Sequence, residues 1–429
     1  MNQIVHRVPG LVLTDHFFDV PLNHIQVQGQ TIRVYAREVV APDYEHEALP
    51  WLVYFQGGPG FGAPRPMGGD GWLGRAVQEF RVLLLDQRGT GRSSPVNWQT
   101  LATVGAPHEQ AAYLKHFRAD AIVQDAEWIR RQLLGEDEQW SVLGQSYGGF
   151  CITHYLSAAP EGLREAFITG GLPSLTRSAD EVYLATYRRV MEKNQQYYQR
   201  YPHDVEIAHR IVHTLRNQEI VLPSGDCLTP QRFQQLGLAF GASDGFEKIH
   251  YLLEEAFIDG VGGPELSYTF LQGVDALQSF NTNPIFAILH ESIYCQQSAS
   301  RWAAHRIREE YPAFAITPDA PVYFTGEMIY PWMFDDYREL RPLKAVAEQL
   351  AYDTEWPMLY DLAQLAQNHV PVAAAVYYDD MYVERAFSEE TARTIPNVKV
   401  WITNEYEHNG LRVNGAEILD RLIDMARGR

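Results

Sequence analysis

Hydrophobic and polar positions fall into two regimes along this chain. Through Gly171, and again from Val370 onward, short unbroken apolar runs end in glycine- or aspartate-rich breakers. Trp51–Phe55 (WLVYF) precedes Gln56-Gly57-Gly58-Pro59-Gly60, and Val82–Leu85 (VLLL) precedes Asp86-Gln87-Arg88-Gly89-Thr90-Gly91. Trp140–Leu143 precedes Gly144, and Val370–Tyr378 (VPVAAAVYY) precedes Asp379-Asp380. A run without polar alternation is what a strand buried on both faces requires. Phe167–Thr169 and Val398–Ile402 are shorter runs of the same kind. Helix-like stretches lie between them: Phe117–Leu134, with Ala121, Trp128, Ile129 and Leu133 expected on one face, Gly148–Ala159 ending before Pro160, Val383–Thr394, and amphipathic Ala416–Ala426. Strands alternating with helices predict an α/β fold, a mostly parallel sheet covered on both faces. Strict alternation appears near the N-terminus, where Ile25–Gln28 and Thr31–Tyr35 around Gly29-Gln30 predict an antiparallel hairpin.

The middle of the chain is different. Residues 173–366 are rich in Tyr, Gln, Glu and His, with helical stretches and few buried-strand runs. The expected organisation is one α/β core, residues 1–172 and 367–429, interrupted by a helical cap at 173–366. That insertion of roughly 190 residues is long enough to be a domain itself.

Composition narrows the class. With 46% hydrophobic residues among 429, a large buried core is expected. The net charge of −19 argues against nucleic acid or an anionic membrane as partner. Cys151, Cys227 and Cys295 are widely scattered and odd in number, without a disulfide framework or zinc spacing. The N-terminal MNQIVHRVPGLVLTDHFFDV lacks the apolar segment of a signal peptide, and no stretch approaches a membrane span. A cytoplasmic protein without metal or cofactor is expected.

The chemistry starts at Gly144-Gln145-Ser146-Tyr147-Gly148, a G-x-S-x-G between a buried strand and an apolar helix. On such an elbow the turn strains the serine backbone and lifts Oγ clear of the sheet. The Tyr147 N–H, opening the helix, then points where an oxyanion would form. A serine nucleophile needs a base, and the base an orienting acid, in the chain order Ser, acid, His. Asp380, at the end of the VPVAAAVYYDD strand, and His408, in the loop after VKVWI, fit that order; neighbouring Asp379 competes for the acid role. Gly58, in the Gly57-Gly58-Pro59-Gly60 loop, is expected to supply the second oxyanion donor.

These motifs resemble the prolyl aminopeptidases (proline iminopeptidases), serine exopeptidases of the α/β-hydrolase fold, in their longer bacterial form. The family's His-Gly-Gly-Pro-Gly loop corresponds to Gln56–Gly60, with Gln56 replacing the histidine. Its Asp-Gln-Arg-Gly-x-Gly-x-Ser motif is matched in full by Asp86–Ser93, and its Gly-x-Ser-x-Gly-Gly elbow by Gly144–Gly149. The Asp380-Met381 step resembles the family's triad aspartate and favours Asp380 over Asp379. The resemblance implies peptide substrates with a free N-terminal amine, held by cap glutamates; Glu291 and Glu327 are the matching choices. Phe286, Tyr294, Tyr330 and Trp332 would then line a flat slot for a pyrrolidine ring. Cys295 would lie near the site, or serve as a small buried hydrophobe, and Cys151 would pack on the elbow helix.

The implied activity is release of an N-terminal proline through an acyl-enzyme. An esterase, an amidase or an aminopeptidase of other specificity is the alternative on the same scaffold. A non-catalytic binding protein is the rival of another class, but a complete Ser, Asp and His set with an intact glycine loop has no structural necessity.

Overall fold

The computed structural model of the chain describes residues 4–429. Its centre is a nine-stranded sheet of β1 (Ile4–Val8), β2 (Leu11–Pro21), β3 (Thr31–Val40), β4 (Trp51–Phe55), β5 (Arg81–Asp86), β6 (Trp140–Gln145), β7 (Leu163–Thr169), β10 (Val372–Tyr377) and β11 (Val398–Thr403). The short hairpin β8 (Phe257–Gly260) and β9 (Gly263–Leu266) forms a separate sheet. The spatial order is β1-β2-β3-β5-β4-β6-β7-β10-β11. Pairings from β5 through β11 are parallel, and those from β1 through β3 to β5 are antiparallel. The longer apolar runs are strands in the interior of this sheet with both faces covered, whereas Val398–Ile402 forms the edge strand β11 and leaves Ile402 41% exposed.

Alternate residues of those strands feed two apolar layers. Leu52, Tyr54, Val82, Leu84, Leu143, Phe167, Ala373 and Ala375 pack with Leu419, Leu422 and Ile423 of the helix Gly415–Arg427. Val53, Phe55, Leu83, Leu85, Val142 and Ile168 face the helices Ala119–Leu133 and Tyr147–Ala158. Burying one such aliphatic side chain stabilises the fold by about 1.5–3 kcal/mol, which makes the register costly to slip.

Two expectations fail on burial. Ile25–Gln28 is not a strand: it turns on Gln26 N–H to Asn23 O and Gly29 N–H to Gln26 O, leaving Ile25 91% exposed. β3 pairs instead with β2, from Val12 opposite Val40 to Pro21 opposite Thr31. Two isolated apolar residues have no core to enter there, whereas β2 buries Leu11, Leu13, Phe18 and Val20. In Ala119–Leu133 the face turned inward is Ile122, Val123, Ala126 and Ile129; Ala121, Trp128 and Leu133 are half-buried at its margin. Burial of Arg130, paired with Glu127 at 2.8 Å, accompanies that rotation.

Between β7 and β10 the described residues contribute helices, short 3₁₀ turns and the β8–β9 hairpin, and none joins the nine-stranded sheet. The longest helix, Ala179–Arg200, opens with a capping box in which Ser178 and Glu181 satisfy each other's backbone N–H groups. It buries Tyr183, Tyr187, Val190 and Tyr197. Buried Arg118 ties this stretch to the sheet side, donating to the carbonyls of Cys295 (2.6 Å) and Pro357 (2.7 Å). Among the described residues, no helix is long and apolar enough to cross a membrane.

Candidate active site

Parallel pairing delivers several strand ends to one edge of the sheet. Gln145 of β6 lies opposite Thr169 of β7, and Thr169 opposite Ala375 of β10. Phe55 of β4 lies opposite Gly144, and Tyr377 opposite Thr403 of β11. The loops after β4, β6, β10 and β11 therefore emerge together, at the carboxyl ends where open α/β sheets bind ligands.

Ser146 directly follows β6 with φ 55° and ψ −125°, a conformation that costs of order 1–3 kcal/mol outside glycine. Its N–H donates to Thr169 O (2.9 Å) and its carbonyl accepts from Gly149 N–H (2.7 Å), which holds the turn. The flanking glycines are sterically required. A Cβ on Gly148 would lie 2.0 Å from Phe55 O, and one on Gly144 would lie 2.5 Å from the Gly148 carbonyl. Tyr147 begins the helix, so its N–H has no preceding helical carbonyl to bond.

The Gln56–Gly60 loop presses on this elbow. A Cβ on Gly57 would approach Ser146 Cβ to 2.9 Å, and Gly58 adopts φ 137°. Gln56 is held at both ends: Tyr54 Oη donates to its side chain (3.0 Å), and Gln87 Nε2 donates to its carbonyl (3.0 Å). The Asp86–Ser93 motif acts as a brace. Asp86 accepts from Ala63 N–H (2.9 Å), Arg92 N–H (2.7 Å) and the Arg65 guanidinium. Buried Arg88 pairs with Asp125 and donates to the Leu22 and His116 carbonyls.

His408 and Asp380 are both buried, with His408 Nδ1 2.7 Å from Asp380 Oδ2. The other oxygen, Oδ1, accepts from Tyr382 N–H (2.8 Å) and Val383 N–H (3.1 Å), so the carboxylate is fixed in place. Asp379 is half-buried and makes no bond to the ring. Burial opposes a charge on His408, but the Coulomb field and hydrogen bond of Asp380 outweigh it and raise its pKa above 6.5. The Tyr382 ring stands edge-on to the imidazole, centroids 4.7 Å apart.

A cavity of about 210 Å³ brings Gln56, Gly57, Gly58, Ser146 and His408 together with Phe61, Gln145, Leu238, Phe286, Glu327, Tyr382 and Arg412. The Glu327 carboxyl opens into it, keeping 17% exposure. Burial, reinforced by Asp380 and opposed by His408, raises its pKa to about 7. His290 Nε2 lies 4.0 Å from Glu327 Oε2, and burial pulls His290 down to about 4, so near neutral pH it does not neutralise that carboxylate.

Glu291 does not line this cavity. Its oxygens accept from Ala303 N–H (3.1 Å) and Ala304 N–H (2.9 Å), closing the N-terminus of the helix Ala303–Ile307. Glu291 thus sits at a helix terminus and not on the cavity wall that carries Ser146 and His408. Of the four aromatics expected in a slot, Phe286 lines the cavity and stacks edge-on to Phe61 (5.3 Å). Tyr294 packs behind it against His290 and Phe150. Tyr330 is fully buried, bonded to Tyr187 Oη (2.9 Å) and stacked on Trp332, away from the cavity lining. Cys295 is buried, its thiol pushed up to about 12 by desolvation, and Cys151 is buried in the elbow helix. Sequence reasoning missed Phe61, Leu238, Tyr382 and Arg412. Tyr382 follows Asp380 by two residues and Arg412 follows His408 by four, so proximity to the candidate triad was the available signal for both.

Residues 50–413 match the family described as the alpha/beta hydrolase fold. A proline iminopeptidase of Aeromonas sobria is 54% identical over 429 residues, covering 100% of both chains. The proline iminopeptidase aneH of Aspergillus aculeatus is 36% identical over 439 aligned residues, covering 100% of this chain and 97% of its own. With its strained serine elbow, its glycine loop and this full-length identity, the chain belongs to the proline iminopeptidase family of α/β hydrolases.

Proposed function

We propose that the chain is a serine exopeptidase that releases an N-terminal proline from peptides, with Ser146 as nucleophile, His408 as general base and acid, and Asp380 as the orienting acid. The observation that carries the reading is one small cavity shared by Ser146, His408 and the Glu327 carboxylate. Pockets for drug-sized ligands run to about 300–1,000 Å³, so this volume suits one small terminal residue.

In this reading the substrate's ammonium pairs with Glu327 and its ring lies against Phe286. His408 Nε2 takes the Ser146 proton as Oγ bonds to the carbonyl carbon. The oxyanion is met by the Gly58 and Tyr147 N–H groups. Collapse breaks the C–N bond while His408 hands its proton to the departing amine. Water, deprotonated by the same imidazole, then hydrolyses the ester and returns the proton to Ser146. Asp380 holds the imidazole tautomer and stabilises its charged form without itself being protonated. Residues 173–366, which supply Leu238, Phe286 and Glu327, act as the cap that closes the site beyond one residue. Glu291 serves the same cap by fixing the helix Ala303–Ile307.

The test compares a proline arylamide, its N-acetylated form and a short-chain aryl ester, each with wild type and Ser146→Ala. Cleavage of the free-amine proline substrate, lost in Ser146→Ala by roughly 10⁴-fold or more, is expected. Cleavage of the ester alone would leave a serine hydrolase and remove the proline and amine assignments.

A further inference from the structure

Arg412 sits on the single helical turn Gly410–Val413, its N–H bonded to Asn409 O (2.8 Å), four residues beyond His408. It is exposed and lines the cavity with Ser146 and His408. Among the described residues its guanidinium has no hydrogen-bond or ion-pair partner. Acidic residues outnumber basic ones in this chain, 54 to 35, and other arginines on the C-terminal helices and their neighbours are taken: Arg75 by Glu79 and Asp420, Arg427 by Glu79 and Glu165. Its charge is nevertheless felt at His408 and Tyr382, and at Asp244, whose carboxylate is held chiefly by Lys248. The cavity thus has a carboxylate, Glu327, and an uncommitted cation, Arg412, on its wall.

We propose that Arg412 binds a carboxylate on the departing residue, which makes the site selective for dipeptides over longer or amidated peptides. This rests on the reading that Ser146 is acylated and His408 protonates the leaving amine. That proton transfer requires the leaving nitrogen within hydrogen-bond reach of His408. In a dipeptide the α-carboxylate carbon is two bonds from that nitrogen, so the carboxylate lies beside the element that carries His408. Arg412, on the helical turn that follows His408 directly, is the cation there. A guanidinium offers a planar pair of donors matched to a carboxylate, and a zwitterionic dipeptide would meet Glu327 at one end and Arg412 at the other. An acidic side chain on the departing residue presents the same chemistry.

The experiment measures kcat/KM for Pro-Gly, Pro-Gly-amide, Pro-Asp-amide and a proline arylamide, with wild type, Arg412→Gln and Arg412→Lys. Because Arg412 is exposed, the expected preference of wild type for Pro-Gly over Pro-Gly-amide is about 3- to 10-fold. Arg412→Gln should bring the ratio to about one, Arg412→Lys should keep part of it, and molar salt should erode it in wild type. Pro-Asp-amide separates the two carboxylate sources. A preference over Pro-Gly-amide that Arg412→Gln removes assigns the side chain too, and equal rates leave the α-carboxylate as the ligand. A ratio that Arg412→Gln leaves unchanged overturns the proposal. Failure of wild type on every proline substrate, the arylamide included, overturns the underlying reading and the proposal with it.

Discussion

Replacing Glu327 with glutamine removes one negative charge from the cavity while keeping the side chain's length. Two opposite effects follow. The carboxyl is held in the folded protein with a pKa of about 7, against 4.5 unperturbed, chiefly because burial disfavours its charge. At about 1.36 kcal/mol per tenfold change in proton affinity, this shift costs the folded state about 3 kcal/mol once the group is ionised. Between pH 4.5 and about 7 the folded chain binds this proton more tightly than the unfolded chain, so stability falls as pH rises through that window. Glu327→Gln should therefore match wild type near about pH 4 and exceed it by up to about 3 kcal/mol near about pH 8. Urea denaturation at the two pH values measures the difference. Function should move the other way. A charge-assisted hydrogen bond contributes about 1.5–3 kcal/mol, so kcat/KM on a proline arylamide should fall roughly 10- to 100-fold. A variant that is no more stable at the higher pH would refute the claim that the cavity desolvates this carboxylate. Undiminished cleavage of the arylamide would refute its role with the amine.

Other substitutions separate the remaining roles. Glu291→Gln should lower stability by about 0.5–2 kcal/mol through a weakened helix terminus, with KM for a proline arylamide unchanged; a raised KM would return Glu291 to the substrate site. Gly58→Ala places a side chain at φ 137° and a Cβ 2.9 Å from both Phe61 Cδ2 and Gly60 N, so the loop must shift. The expected loss is on the order of 100- to 1000-fold in kcat, and a near wild-type kcat would remove Gly58 from the oxyanion hole. The acid limb of kcat/KM should lie at about 7 or above, since His408, raised by Asp380 against the opposing effect of burial, and Glu327 must both lose a proton. In Glu327→Gln that limb should move to lower pH, because the Glu327 charge also helps hold the proton on His408. Thiol reagents at neutral pH should leave activity intact, as the Cys295 thiol is both buried and pushed up to about 12.

By itself the sequence determined the parallel half of the sheet and named Ser146, Asp380 and His408 as the candidate triad that the fold brings to one end of it. Unbroken apolar runs such as VLLL and VAAAVY have one stable placement, between two covering layers, and breakers mark where they end. Gly144 and Gly148 are required by backbone contacts within a few residues of Ser146, so a local pattern reports them. Asp380 and His408 were legible because each follows a strand whose neighbours the βα order already implies. What lies across the chain was not legible. The partner of β3 is decided by which segment can bury a face, and the alternating Ile25–Gln28 cannot. Glu291 and Glu327 look alike in sequence, each a glutamate in an apolar stretch. Only the packing sends Glu291 to the amides of Ala303 and Ala304 and Glu327 into the cavity with Ser146. Arg412 is one arginine among many until the tertiary structure sets it on the cavity wall that also carries Ser146, with no carboxylate at ion-pair distance among the described residues. The physical reason is common to all three: backbone sterics act over a few residues, whereas charge and burial are settled by neighbours that only packing brings together, a dozen residues away for Glu291 and far more for Glu327 and Arg412.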